Sequence, residues 1–359
     1  MSAAPHLLLA VSGHGFGHLS QCAPVVNALW ERCPEMRLTV CGSLPHAVVA
    51  ARLDRDFSYR QTELDPVLRM FSAWEVDVPA SMQVYNEFYR NREAGLQQDL
   101  AMLRDIRPDL VLADIPYRVL LAAKLAGVPA IGLCSLNWAA VFATYAADTR
   151  ENAAITGHML SGYRAAESFL APAPALPMPG LGNYRAIGPI ARTGTQRQLE
   201  LQQRTGLPAG TRYVLVAMGG IDTRLPLVNW PRMAGVAWVF AGPVSSLRDD
   251  MVTFDTLSMP FIDVLASAAT VLTKPGYGTY AEAVCNGVPV LTLERPDWPE
   301  TRYLNDWART HGRLVEISRA QLEAGDFVAA LEQLWQQQEK PPPEPAGIMQ
   351  AAAVIQAHL

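Results

Sequence analysis

Short apolar runs, each closed by glycine, serine or aspartate, recur along the chain with amphipathic stretches between them. In the first half these runs are Leu7–Val11, Leu38–Cys41, Leu110–Ala113 and Pro129–Leu133. None alternates apolar with polar residues, as expected for parallel strands covered on both faces. Helices are predicted over Leu19–Arg32, from about Pro45, over Glu93–Ile106 and over Tyr117–Ala126. Tyr59–Arg90 is rich in aromatics without a clear period and predicts an irregular pocket wall or lid. The uncharged stretch Leu125–Ala147 contains Gly127, Pro129, Gly132 and Asn137, so it predicts strand, loop and helix in place of a membrane span.

Residues Ala171–Pro179 (APAPALPMP) break the pattern, and Ile187-Gly188-Pro189 follows. A domain boundary is predicted at about Gly188. The pattern then restarts, with strands at Tyr213–Ala217, Val236–Phe240, Thr270–Thr273 and Val288–Leu293. Helices are predicted over Val264–Ala269, Tyr280–Asn286 and Glu300–Thr310. After Lys340–Pro345 (KPPPEP) comes a last amphipathic helix, Ala346–Leu359. The predicted organisation is a first α/β domain over 1–188, a second over 189–340 and a terminal helix within 341–359. Two doubly wound, Rossmann-like domains facing across a cleft would bind ligands at the carboxyl ends of their strands.

Composition narrows the function. The 359 residues suit two domains, and half of them are hydrophobic. Charged residues are 18%, the net charge is −5 and no basic stripe is present, which argues against nucleic acid as a partner. No Lys or Arg precedes the first apolar run, so no signal peptide is read there. The five cysteines lack a C-x-x-C spacing and suit reduced, buried thiols, so a cytoplasmic setting is expected. Oligomeric state is not legible.

Two glycine-rich turns carry the candidate chemistry. The first, Ser12–Gln21 (SGHGFGHLSQ), follows the first strand and opens a helix. Such a turn gathers backbone N–H groups at a positive helix end. It is not a dinucleotide fingerprint. Gly13, Gly15 and Gly17 fall on alternate positions, and the second strand ends in Gly42-Ser43, where an acidic residue for a ribose would stand. It also holds His14 and His18, and histidine is the side chain suited to moving protons near neutral pH. The second, Lys274–Glu282 (KPGYGTYAE), combines close-approach glycines at 276 and 278, the Thr279 hydroxyl and the Lys274 charge. Glu282 lies about one turn after Thr279, placed to accept from ribose hydroxyls.

Residues Phe261–Asn305 resemble the nucleotide-sugar site of the GT-B glycosyltransferases. The UDP-glycosyltransferases and the bacterial GlcNAc transferase of peptidoglycan synthesis are the nearest likenesses. The resemblance rests on Phe261-Ile262-Asp263, the Gly-x-Gly-Thr turn, Glu-Ala-x-x-x-Gly-Val-Pro at 282–289 and Asn305. Gly17-His18, the strand running into Asp114, and Ile187-Gly188-Pro189 extend it over most of the chain. SGHGFGH is also similar to the N-terminal domain of plant-type arabinokinases, itself GT-B-like.

The resemblance implies an inverting transferase that needs no metal and no cofactor beyond a nucleotide-sugar co-substrate, a UDP-sugar. His18 would be the general base and Asp114 would orient it. Ile262 would meet the nucleotide base through its backbone, and Glu282 would bind ribose. Gly276, Gly278 and Thr279, with Lys274, Gly219 and Gly220, would hold the diphosphate. Glu300, Thr301 and Arg302 stand about where the family contacts the donor sugar. His14, Gly17, Asn137 and Trp138 fall on the acceptor side, and the unidentified acceptor is expected to be soluble. Lys274 and Tyr277 depart from the plant-type pattern, which carries histidine and tryptophan there, and Glu294–Arg302 is longer than the family's loop. Plainer roles stay open at this level: Asp114 as a helix cap, Lys274 at the surface, and Trp74, Tyr85, Phe88 and Tyr89 as packing. Two other classes also stay open: a nucleotide-sugar epimerase using Glu294, Asp297 and Glu300, and a non-catalytic nucleotide-binding module.

Overall fold

A computed structural model describes residues 4–72, 74–219, 225–242, 244 and 248–359. The chain forms two compact units. One comprises residues up to Phe71, Val76–Ile190 and Ala346–Leu359; the other comprises Ser72–Glu75 and Ala191–Pro345.

The first unit begins with β1 (His6–Val11), α1 (Gly17–Arg32), β2 (Arg37–Gly42), α2 (His46–Ala50) and β3 (Ser58–Gln61). Strands β4 (Met70–Ser72) and β5 (Glu75–Val76), a separate two-stranded sheet at the segment that passes into the second unit, follow, then helices α3 (Val78–Arg90) and α4 (Arg92–Ile106). Next come β6 (Leu110–Asp114), α5 (Tyr117–Ala126), β7 (Ala130–Leu133), α6 (Trp138–Tyr145), α7 (Arg150–Tyr163), β8 (Ser168–Pro172) and β9 (Tyr184–Ile187). Its sheet has the order β3-β2-β1-β6-β7-β8-β9. All pairings recorded for it are parallel. Strands β1 and β6 are buried along their whole length, the burial that an apolar run without alternation demands.

The second unit contains α8 (Gln198–Thr205), β10 (Arg212–Ala217), β11 (Val236–Phe240), β12 (Met251–Thr253), α9 (Phe261–Ser267) and β13 (Thr270–Thr273). It continues with α10 (Tyr277–Cys285), β14 (Val290–Leu293), α11 (Thr301–His311), β15 (Leu314–Ile317), α12 (Arg319–Ala324) and α13 (Val328–Gln336). Its sheet, also parallel, has the order β12-β11-β10-β13-β14-β15. Trp230, Trp238, Phe240 and Phe327 form the aromatic centre of its core, and Trp74 packs against it. The last helix, α14 (Gly347–Gln356), packs on α1 in the first unit. It can do so because Gly347 meets Gly188 backbone so closely that a Cβ would lie 2.1 Å from the Gly188 carbonyl oxygen.

Each sheet reverses its strand order once, between β1 and β6 in the first unit and between β10 and β13 in the second. Beyond the carboxyl ends of the strands at such a reversal, the loops diverge and leave a crevice, the usual ligand position in doubly wound sheets. Both glycine-rich turns named above leave the sheet at these two places.

The structure corrects several sequence expectations. Residues 59–90 are irregular only in part: 62–69 carry no helix or strand, but the segment also holds most of β3, the short strands β4 and β5 and the 13-residue α3. Helix α3 starts where the Asp77 carboxylate accepts the Ala80 N–H, with Pro79 in its first turn. Tyr85, one of its aromatics, is buried against Phe142 as core packing. Helix α10 starts at Tyr277, not Tyr280, so Gly278 and Thr279 belong to its first turn. Helix α7 and strands β8, β9, β12 and β15 have no counterpart in the sequence reading. Among the described residues no helix is long and apolar enough to cross a membrane.

Candidate active site

In the first unit, strand register assembles the site. Val11 at the end of β1 pairs with Asp114 at the end of β6. The chain leaving β1 therefore starts level with that carboxylate, and the Ser12 N–H donates to the Asp114 carbonyl at 2.8 Å. Gly15 makes the turn possible with φ +71°. The turn ends at the start of α1, where His18 is the second helical residue. There Nδ1 of His18 lies 2.9 Å from Oδ1 of Asp114. Asp114 is fully buried and His18 is 5% exposed. Donation from Nδ1–H to the carboxylate fixes the tautomer and leaves Nε2 as the proton acceptor. Burial pushes the Asp114 carboxyl up, and the hydrogen bond and charge of His18 pull it back. The capping role for Asp114 is not what the structure shows, because the N-cap of α5 is Pro116 and no side chain caps it.

Two further side chains complete this cluster. Cys134, just past β7, sits with Sγ 3.7 Å from His18 Nδ1. It is held by Gln21, whose amide contacts the sulfur at 3.8 Å while its oxygen accepts the Ser135 N–H. The donor atoms of His18, Asp114 and Cys134 lie within 4.8 Å of one another, a set chemically able to hold zinc. Trp138 forms the opposite wall. Its ring stands edge-on to His14 at 5.5 Å and to His18 at 5.6 Å between centroids. Its indole N–H donates to Oδ2 of Asp65 at 2.6 Å. Asn137 is 1% exposed and spends its side-chain oxygen as the α6 cap, accepting from Ala140 N–H. Gly17 is exposed and a Cβ there would meet nothing within 4 Å, so the turn is open on that side.

In the second unit, Ala217 pairs with Thr273, which brings the turns after β10 and β13 side by side. Gly219, at φ +83°, lies beside Lys274, and a Cβ there would sit 3.4 Å from the lysine Cε. Gly220 lies outside the described residues. Gly276 is the N-cap position of α10, so Tyr277, Gly278 and Thr279 make up its first turn, directly after Lys274 and Pro275, at the positive end of the helix. Desolvation, and secondarily the charge of Arg295, pull the Lys274 ammonium down to about 8, with Glu300 opposing. Glu282 is buried on α10 and accepts from Arg192 Nε at 2.8 Å. Ile262 lies on α9, its carbonyl covered by the backbone of Gly194, where a Cβ would approach to 2.3 Å.

The donor-sugar candidates separate. Glu300 and Thr301 are buried, and Glu300 accepts from the Trp298 indole at 3.1 Å. Arg302 points outward at 84% side-chain exposure, 3.7 Å from Asp306 on the same helix face. The buried cation of this segment is Arg295, stacked over Trp298 at 4.2 Å. Of the acids offered for an epimerase, Glu294 and Asp297 are exposed and Glu300 alone turns inward. Sequence reasoning missed Asp65, Cys134, Arg192 and Arg295 as site neighbours. Arg295 had a usable signal in the longer loop, and the other three had none.

Comparison with known proteins places this geometry in a fold. No family model matches the sequence. The chain is 24% identical over 336 residues to L-arabinokinase of Arabidopsis thaliana, covering 92% of this chain and 32% of that protein. The chain therefore spans about a third of the length of the curated relative it matches. Among solved structures it is similar to CalG4, the calicheamicin glycosyltransferase, with TM-score 0.67 and 18% identity over 100% of this chain and 99% of that one. It is similar also to the glycosyltransferase VinC in complex with dTDP, with TM-score 0.58 and 17% identity over 98% and 94%. The fold is that of the GT-B glycosyltransferases, along nearly the whole chain.

Proposed function

We propose that the protein is an inverting glycosyltransferase. It would move a sugar from a pyrimidine nucleoside diphosphate to a hydroxyl, or a similar nucleophile, of a small acceptor. The observation that carries this reading is the buried His18–Asp114 pair at the reversal of the first sheet. It is a base oriented by a carboxylate, the arrangement that activates a weak nucleophile. His18 Nε2 takes the acceptor proton as the oxygen attacks the anomeric carbon. Asp114 stabilises the imidazolium formed. Attack from the side opposite the diphosphate inverts that carbon.

In the second unit, the α10 N-terminus and Lys274 stabilise the departing diphosphate, and Glu282 accepts from the ribose hydroxyls. Arg192 then has to share or leave the Glu282 carboxylate, since it occupies one of its oxygens. UDP is supported by the sequence resemblance and dTDP by the ligand of VinC. With one inward acid in the 294–300 segment, the epimerase reading lacks the paired groups it needs. The test is nucleotide release from UDP- and dTDP-sugars with a mixed panel of hydroxylic acceptors. Acceptor-dependent release that His18→Ala abolishes supports the reading. Release without acceptor, or release that is unchanged in His18→Ala, contradicts it.

A further inference from the structure

The donor set at His18 has a chemistry that sugar transfer leaves unused. His18, Asp114 and Cys134 are all buried, with Nδ1 of His18 2.9 Å from the carboxylate oxygen and 3.7 Å from the sulfur. The three donor atoms lie within 4.8 Å of one another. A tetrahedral zinc, with bonds of about 2.0–2.3 Å to nitrogen, oxygen and sulfur, sets neighbouring donors about 3.4–3.6 Å apart. The nitrogen–sulfur distance already fits, and the nitrogen–oxygen distance has to open by about half an ångström. A small rotation of the carboxylate supplies that, and its second oxygen, also buried, makes no hydrogen bond among the described residues. Separate elements fix the set: Asp114 ends β6, Cys134 follows β7, and Gln21 on α1 contacts the sulfur at 3.8 Å. Nitrogen, oxygen and sulfur together suit zinc, whereas magnesium and calcium take oxygen. Gly17 is exposed and a Cβ there would meet nothing within 4 Å, so the turn gives an ion a way in.

We propose that His18, Asp114 and Cys134 form an inhibitory Zn2+ site, with the fourth position left to water. Binding stands on the donor geometry alone; inhibition rests on His18 being the base, as argued above. Binding forms bonds from zinc to Nδ1, to a carboxylate oxygen and to the sulfur. The Nδ1 proton leaves and Nε2 takes one up, because neutral imidazole bound to a metal through Nδ1 carries its hydrogen on Nε2. The thiol proton is therefore the one released to solvent. That tautomer is the wrong one for a base, since Nε2 then donates where it has to accept. The Asp114 hydrogen bond that holds the working tautomer is lost in the same event. The ion takes no part in transfer and removes the base from use.

The test uses Co2+ as the probe on the untagged full-length protein. Cobalt bound through a thiolate shows a sulfur-to-metal charge-transfer band, and tetrahedral cobalt shows strong visible bands. One Co2+ per chain should give both, and Zn2+ should bleach them. Cys134→Ser should lose the charge-transfer band, while Cys33→Ser, at the half-buried cysteine, keeps it. Absence of the band at saturating Co2+, or a band that survives in Cys134→Ser, overturns the proposal. Should Cys134→Ser not fold, X-ray absorption at the zinc edge of wild type loaded with one Zn2+ carries the test. One sulfur among nitrogen and oxygen ligands is expected, and none, or two or more, overturns it. Neither readout needs turnover. Inhibition is read separately: one bound Zn2+ should lower acceptor-dependent nucleotide release by about 100-fold or more, and a chelator should restore it. A rate unchanged with the ion bound overturns the inhibitory role and leaves the transferase reading standing. Acceptor-dependent release surviving in His18→Ala overturns that reading and, with it, the inhibitory role, while the cobalt result still decides whether the ion binds.

Discussion

Lys274 makes the donor half of the mechanism testable by pH. Its ammonium is held at about 8, so it is about nine-tenths protonated at pH 7 and about one-tenth at pH 9. If the ammonium form alone grips the diphosphate, the apparent Kd for UDP or dTDP rises about tenfold across that interval, about 1.4 kcal/mol. The ligand contributes nothing to this change, because a terminal phosphate completes its ionisation near pH 6. The assay is titration calorimetry at pH 7, 8 and 9 on wild type, Lys274→Gln and Lys274→Arg. Wild type should weaken with rising pH, Lys274→Gln should be weak throughout, and Lys274→Arg should be flat because guanidinium keeps its charge. Stability of the free protein runs the other way. A lysine lowered in the folded state binds fewer protons there than in the unfolded chain between about pH 8 and 10.4, so its contribution to stability rises with pH in that window. A wild-type Kd that is flat from pH 7 to 9, or a Lys274→Arg profile with the wild-type slope, would refute the assignment of Lys274 to the diphosphate.

Other consequences follow from single residues. Asp114→Asn should leave the fold intact and lower the acceptor-dependent rate by about 100-fold or more, read from initial rates, because the imidazolium loses its carboxylate. Gly42→Ala should cost about 1–3 kcal/mol in urea unfolding, because a Cβ there lies 2.5 Å from the Val11 carbonyl between paired strands. Arg302→Ala should change the KM for the sugar donor less than twofold, since its side chain faces solvent. Arg295→Ala, at the buried cation, should change it substantially, and equal effects would contradict this placement of the two arginines.

What the sequence disclosed was set by locality. Runs such as Leu7–Val11 and Leu110–Ala113 were legible because strands buried on both faces admit no polar position. The turns at Gly15 and Gly276 were legible because glycine and helix onset fall within a few residues of each other. Helix α7 and the edge strand β9 were not. Helix α7 mixes Gly157 and Gly162 into a weak stripe, and three of the four residues of β9 are exposed. The His18–Asp114 relation could be suggested from motif order but depends on the Val11–Asp114 register, a contact across the sheet. Asp65 and Cys134 reach the site from the ends of other strands, and nothing in their local sequence marks them. Arg192 likewise meets Glu282 across 90 residues. Arg302 was legible as a charge near the donor loop, yet its orientation depends on helical phase, which turned it outward and left Arg295 within.

On the proposed function, the second unit binds a nucleoside diphosphate through α10. The most direct measurement is thermal stabilisation by UDP, dTDP, GDP and ADP, on wild type and Glu282→Ala. A ligand at 100 times its Kd adds about 2.7 kcal/mol. UDP or dTDP should stabilise the wild type and stabilise Glu282→Ala much less. Absence of stabilisation by every diphosphate, or stabilisation indifferent to Glu282, would contradict it.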